Sequence, residues 1–253
     1  MTQPEVFIFD LDGTIAESKQ PITARMAEML TQLLAHSRVA IASGGKFKQL
    51  HKQVANQLPA NTQLEKLYFL PTSGAALYYY RDTKWHTVYE KLLTDTEAIH
   101  ITKAIEQAVK STRVIFPNTT LYGTQTEFRG TEVSFSALGQ NAPLEQKRTW
   151  DPTREKREIL HASLVPLLSE YEVHIGGMTT IDITQKGIDK AYGIERLSEF
   201  LSIPITHMLY IGDELQNGGN DEAVLRTQAH THKVTDPRDT YRFITELLTH
   251  EDI

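Results

Sequence analysis

Four consecutive strand-forming apolar residues, Val6-Phe7-Ile8-Phe9, run directly into Asp10-Leu11-Asp12-Gly13-Thr14. An apolar run without alternation fits a strand buried on both faces, as in a parallel sheet covered by helices. Its abrupt acidic end matters as much, because open α/β sheets bind ligands beyond the carboxyl ends of their strands.

The pattern that follows supports that class. Ile22, Met26, Met29, Leu30 and Leu33 share one helical face. A second strand is predicted at Val39-Ala42, a helix from Phe47 towards Asn56, and a third strand at Leu67-Leu70. Strand, helix, strand, helix, strand is the order of a parallel sheet with crossover connections. Ala75-Tyr80 and His86-Tyr89, flanking Arg81-Asp82-Thr83-Lys84, read as a hairpin, with Tyr78-Tyr79-Tyr80 serving its packing.

The character then changes to α+β. Helices are expected around Ile101-Val109 and Leu160-Leu168, with Pro166 imposing a kink or an earlier stop. Strands are expected at Val133-Ser136, Glu172-Ile175 and Thr180-Ile183. Arg154, Lys156 and Arg157 read as one exposed helix turn beside Glu155 and Glu158. A helix over Lys190-Leu201, a strand at Met208-Ile211 and a last helix from Pro237 to Thr249 resume the α/β pattern. The expected fold is therefore α/β, a Rossmann-like parallel-sheet core (1–87 and 186–253) interrupted by an inserted α+β domain (88–185).

Two strand ends carry the chemistry. Met208-Ile211 ends in Gly212-Asp213 and is followed by Gly218-Gly219-Asn220-Asp221. If that strand lies parallel to the first, Asp10, Asp12, Asp213 and Asp221 converge in one cleft, where they repel unless a cation neutralises them. An all-oxygen set of this kind suits Mg²⁺. Of Asp10 and Asp12, one can attack phosphorus while the other handles protons. Ser43, before Gly44-Gly45, can offer a phosphate its hydroxyl and neighbouring backbone N–H groups. Lys190, where a helix begins, can balance phosphate charge. His230 and His232 share a strand face, but without a third ligand nearby they read as a solvated face.

In this order these pieces resemble the haloacid dehalogenase (HAD) superfamily, over the whole chain. The resemblance implies Asp10 as nucleophile, Asp12 as general acid/base, and Ser43 and Lys190 on the transferring phosphoryl group. It implies Mg²⁺ on Asp10, the Asp12 carbonyl and Asp213, with Asp221 supporting the metal site. The insertion looks like the large cap of subclass IIB. Thr14, Lys19-Gln20-Pro21-Ile22, Thr126-Glu127-Phe128-Arg129, Gly176-Gly177-Met178-Thr179-Thr180-Ile181-Asp182, Gly187-Ile188-Asp189-Lys190 and Gly218-Gly219-Asn220-Asp221 together look like eukaryotic-type phosphomannomutases. By that likeness Thr14, Lys19, Ser43, Gly44, Arg129, Thr180 and Asp182 form the phosphate- and substrate-binding set. The family's cap grips a second phosphate with several arginines. Here Arg129 matches one, Tyr122 and Gln140 stand where two others are expected, and Lys19 replaces an arginine of the core.

Neither Tyr nor Gln can supply a charged guanidinium fork. A mutase must retain a bisphosphate and exclude water, so these departures favour hydrolysis. The expectation is an Mg²⁺-dependent sugar phosphatase acting through an aspartyl-phosphate. A phosphomannomutase is the alternative, and a silent phosphosugar-binding protein the third reading. A formal net charge of -6 argues against nucleic acid as a partner, and the absence of Cys excludes disulfides and a thiol nucleophile. No leader and no membrane-spanning apolar run is read, so the expected location is cytoplasmic. A homodimer is compatible with the sequence.

Overall fold

The computed structural model describes residues 4–116 and 118–250, with the backbone alone of His250. Met1, Thr2 and Gln3, on which the absence of a leader was read in part, lie outside the described residues. In chain order the elements are β1 (Val6–Asp10), α1 (Ala24–His36), β2 (Arg38–Ala42), α2 (Phe47–Gln53), β3 (Leu67–Leu70), β4 (Ala76–Arg81) and β5 (Lys84–Glu90). Next come α3 (Asp95–Thr112), β6 (Thr126–Phe128), β7 (Val133–Ser136), α4 (Leu144–Trp150), α5 (Glu155–Leu164), β8 (Tyr171–Ile175) and β9 (Thr180–Gln185). The chain closes with α6 (Lys190–Leu201), β10 (Met208–Gly212), β11 (His230–Lys233) and α7 (Pro237–His250). These elements form two compact units, residues 1–90 with 189–253, and Lys91–Ile188.

The first unit is built on a seven-stranded sheet in the order β11-β10-β1-β2-β3-β4-β5. The strands from β11 to β3 are parallel, while β4 and β5 add an antiparallel edge. Alternate residues serve opposite faces, and both faces are covered. Phe7, Phe9, Val39, Ile41 and Phe69 pack with Met26, Leu30 and Leu33 of α1. Val6, Ile8, Ala40 and Tyr210 pack with Ile194 and Leu197 of α6. This two-sided burial is why the first strand had to be apolar throughout. The sheet grows from β1 through β2 and β3, then returns to the other side of β1 as β10. The carboxyl end of β1 is therefore a switch point of the topology, the place such sheets bind ligands.

At the antiparallel edge, Asp82 and Thr83 carry the chain round with φ of 49° and 62°, the left-handed pair a tight two-residue hairpin needs. Tyr78 stacks on Phe47 with centroids 4.3 Å apart, and Trp85 on Phe69 at 4.5 Å. The His232 ring stacks on Phe243 at 3.8 Å.

The second unit carries an antiparallel sheet, β6-β7-β9-β8. Val133, Phe135, Ile181 and Ile183 point to one face and pack with Ile101 and Ile105 of α3 and Leu160 and Leu164 of α5. The alternate residues Ser134, Ser136, Asp182 and Thr184 line the other face and are also buried. Helix α5 stops at Leu164, two residues before Pro166, whose ring would clash within a continuing helix.

The expectation that Arg157 is exposed is overturned. Its side chain is buried, with Nε donating to Asp151 Oδ2 at 2.9 Å, Nη2 to the Asp151 carbonyl and Nη1 to the Gly177 carbonyl. Asp151 also accepts from the backbone N–H groups of Lys156 and Arg157, capping the start of α5. A charged helix turn is exposed by default, but a guanidinium fork surrounded by acceptors can be buried. Among the described residues no helix is long and apolar enough to cross a membrane.

Candidate active site

Parallel registration brings the acidic strand ends together. Asp10 lies opposite Ala42 of β2, so Ser43 follows the residue paired with the candidate nucleophile. On the other side Phe9 pairs with Ile211, and Gly212-Asp213 continues beside it.

Lys190 is at the centre of this cluster. It is the first residue of α6, whose N-cap Asp189 accepts from Tyr192 N–H at 3.0 Å. Its Nζ donates to Asp10 Oδ1 and to Asp221 Oδ1, each at 2.6 Å, with all three side chains at most 5% exposed. Asp221 Oδ1 also accepts from the Tyr210 hydroxyl at 2.5 Å, and Oδ2 from Glu214 N–H at 3.2 Å. Asp221 thus turns inward on Lys190, Tyr210 and the loop backbone.

Burial sets the electrostatics. It is the largest cause holding the Asp10 carboxyl well above the usual range, with Asp221 and Asp213 adding to the rise against the opposing pull of Lys190. Asp213 is pushed up to about 6, first by burial and then by Asp221. Burial works against the Lys190 ammonium, but its two carboxylate partners outweigh that and hold its pKa above the ordinary lysine value. The carboxylates Asp10, Asp213 and Asp221 thus share a buried region with the single charge of Lys190.

The donor chemistry suits a hard divalent cation. Among the described residues no three acidic or imidazole side chains are gathered to hold a metal ion. Two carboxylates with a backbone carbonyl do not require a third side chain, and backbone is available there. Gly13 has φ of 95°, and a Cβ on it would lie 2.4 Å from Asp213 Oδ2. The Asp12–Gly13 backbone therefore passes directly against the Asp213 carboxylate, and only glycine permits it. Asp10, Asp213 and that loop backbone are the oxygen donors on which a hard cation such as Mg²⁺ could draw here.

The remaining candidates of the first unit occupy the same strand ends. Asp12 Oδ1 accepts from Lys19 N–H at 2.8 Å, which fixes the carboxylate over its own loop. The fully buried Thr14 hydroxyl donates to Asp213 Oδ1 at 3.0 Å and accepts from Asp213 N–H at 3.1 Å. Its side chain is thus turned to an acidic partner. Ser43 Oγ accepts from Gly45 N–H at 3.0 Å across Gly44. Behind that turn, Thr72, Ser73 and Gly74 all have positive φ, and Ser73 N–H and Thr72 N–H donate to the carbonyls of Ser43 and Gly45. Sequence reasoning missed this left-handed stretch. It also missed Tyr210, whose signal was one polar tip in an otherwise apolar strand.

Arg129, Thr180 and Asp182 belong to the second unit, where Ser134 Oγ donates to Asp182 Oδ1 at 2.6 Å. Arg129 Nε donates to Glu127 Oε2 at 3.0 Å, Nη1 to Glu132 Oε1 at 2.8 Å and Nη2 to Gln140 Oε1 at 3.3 Å. Glu132 is fully buried, and its Oε2 finds no hydrogen-bond partner among the described residues. Sequence reasoning did not single it out.

Comparison with known proteins gives the family of the chain. Residues 7–227 match the profile of the haloacid dehalogenase-like hydrolases. The chain is 25% identical over 273 residues to a probable phosphomannomutase of Caenorhabditis elegans, covering 100% of both chains. It is 25% identical to phosphomannomutase 1 of Mus musculus, covering 95% of this chain and 90% of that one. Among solved structures, a truncated IMP-nucleotidase of Plasmodium falciparum superposes with a TM-score of 0.75 at 16% identity, covering 98% of this chain and 71% of that one. A haloacid dehalogenase-like hydrolase of Bacteroides thetaiotaomicron superposes with a TM-score of 0.64 at 15% identity, covering 97% and 100%. The mainly parallel sheet, the acidic strand ends with Lys190 between them, and the profile match over most of the length agree on one family: this chain belongs to the haloacid dehalogenase-like hydrolases.

Proposed function

We propose that this chain transfers the phosphoryl group of a small phosphorylated sugar through an aspartyl-phosphate on Asp10. The observation that carries this reading is Lys190, which meets Asp10 and Asp221 at 2.6 Å in a buried site at the switch point of the sheet. Mg²⁺, held by Asp10, Asp213 and the Asp12 carbonyl, would supply positive charge to the phosphoryl oxygens.

An Asp10 carboxylate oxygen attacks phosphorus in line, so that an O–P bond forms as the ester P–O bond breaks. Lys190 stabilises charge on the equatorial oxygens, helped by Ser43 and the Gly44 backbone. Asp12 gives its proton to the leaving oxygen. In the second half, Asp12 takes a proton from the attacking hydroxyl as that oxygen bonds phosphorus and Asp10 is released. Arg129, Thr180 and Asp182 are assigned to the non-reacting end of the sugar.

The acceptor in that second half decides the reaction. The names of the curated relatives, phosphomannomutases over nearly their full length, favour a sugar hydroxyl, hence isomerisation between hexose 1-phosphate and 6-phosphate. One observation favours water and simple hydrolysis. Arg129 is already engaged by Glu127 and Glu132, and Gln140 beside it is uncharged, so a second phosphate would meet little net positive charge. Mannose 1-phosphate with Mg²⁺ and a trace of hexose 1,6-bisphosphate, followed by ³¹P NMR, separates the two. Accumulating 6-phosphate identifies a mutase and inorganic phosphate a phosphatase. Asp10→Asn should abolish either, and full turnover in that variant would sink the reading.

A further inference from the structure

Thr240 lies in the first turns of the C-terminal helix, 226 positions from the loop that follows β1, and is fully buried. Its hydroxyl donates to the Thr14 carbonyl at 2.6 Å. A helical threonine ordinarily returns that proton to the carbonyl four residues back. Here the Asp236 carbonyl four residues back lies at 3.4 Å, well beyond the Thr14 carbonyl, so the loop is the nearer of the two acceptors.

The helix end that carries Thr240 is itself held firmly. Asp236 Oδ1 accepts from the N–H groups of Arg238 and Asp239 at 2.8 and 2.9 Å, while Asp239 Oδ2 accepts from Thr235 N–H at 3.0 Å. Just before it, Val234 N–H donates to the Gly212 carbonyl at 3.1 Å, next to Asp213. The bonds close a ring. Asp213 bonds the Thr14 hydroxyl in both directions, the Thr14 carbonyl is held by Thr240, and the start of α7 is tied back to Gly212. Gly13, the residue before Thr14, passes against the Asp213 carboxylate of this ring.

We propose that Thr240 is a positioning residue for the cation site. By fixing the Thr14 peptide it holds the Asp12–Gly13 backbone against the Asp213 carboxylate, two of the donors assigned to the cation. This inference rests on the assignment of Mg²⁺ to Asp10, Asp213 and the Asp12 carbonyl. Mg²⁺ tolerates little departure from octahedral geometry, so a loosened loop reduces its affinity. Groups bonded directly to metal ligands, as Thr14 is to Asp213, typically change affinity by about 10–100-fold when removed, and Thr240 acts one step further back through Thr14, so the lower end of that range is expected.

The test is isothermal titration of the whole chain with Mg²⁺ alone. Thr240→Val keeps the shape and removes the hydroxyl, and should weaken binding about tenfold, while Thr240→Ser should stay within about twofold of wild type. Equal binding by wild type and T240V overturns the proposal, whereas a wild type that binds no Mg²⁺ overturns the metal assignment beneath it. Hydrogen exchange on the unmodified protein tests the coupling even if T240V does not fold. Mg²⁺ should slow exchange at residues 12–16 and at the first turn of α7 together. Protection confined to 12–16 overturns the proposal.

Discussion

Arg129 and Glu132 form a buried ion pair, Nη1 to Oε1 at 2.8 Å, with side-chain exposures of 7% and 0%. Burial first, and Asp182 second, hold the Glu132 carboxyl well above its usual range despite Arg129. The folded state therefore binds the Glu132 proton more tightly than the unfolded chain does. The resulting stability is fully present below about pH 4.5 and is lost as pH rises through the folded-state value. Glu132→Gln keeps an oxygen for Arg129 and cannot ionise. Its melting temperature relative to wild type should therefore rise between pH 4 and pH 8. A relative loss over that range would show that the ionised pair is the stabilising form.

Much of this was readable before the fold was known, for identifiable reasons. The run Val6-Phe9 and the helical spacing of Met26, Leu30 and Leu33 report burial through periods that do not depend on distant residues. Asp10, Asp213 and Lys190 stand at element ends, so finding those ends located them. Arg157 and Thr240 were illegible because their roles depend on distant partners, the Gly177 carbonyl and Thr14, that local pattern cannot reveal. Glu132 lies only three residues from Arg129, but nothing in a short irregular connection between strands marks its burial.

Lys190 supports a second prediction. Removing one member of a buried ionic group leaves the others without their counter-charge, at a cost of about 3–5 kcal/mol. Lys190→Met leaves Asp10 and Asp221 facing each other and should fall in this range by urea denaturation at pH 7.5 without Mg²⁺. Asp10→Asn removes one of two carboxylates and leaves Lys190 with Asp221, so its effect should be much smaller. The double variant should be more stable than Lys190→Met alone, because these changes couple through one site. Simple additivity would mean that the three groups do not share their charge.

Arg157 is held by geometry as well as charge. Its guanidinium reaches the Asp151 carboxylate, the Asp151 carbonyl and the Gly177 carbonyl at once. Lysine retains the charge but cannot span a fork of acceptors. Arg157→Lys should therefore still lose about 1–3 kcal/mol, the cost of leaving buried acceptors unsatisfied. Equal stability in guanidinium chloride would show that charge alone suffices.

The start of α3 yields a prediction with a defined pH dependence. Thr94 Oγ1 accepts from Glu97 N–H at 3.2 Å, and the Glu97 carboxylate accepts from Thr94 N–H at 2.7 Å. Each satisfies a donor that the first helical turn leaves open. Thr94→Ala removes one of these bonds and should destabilise by about 1 kcal/mol. The backbone bond from Thr94, reinforced by its hydroxyl, lowers the pKa of Glu97 below its ordinary 4.5. A lowered acid contributes stability that is present above about pH 4.5 and disappears as the carboxylate takes up its proton below that. Glu97→Gln should therefore differ from wild type at pH 7 and converge with it near pH 3, followed by thermal melting. A difference that persists unchanged at pH 3 would show that the charge of Glu97 adds nothing to the cap.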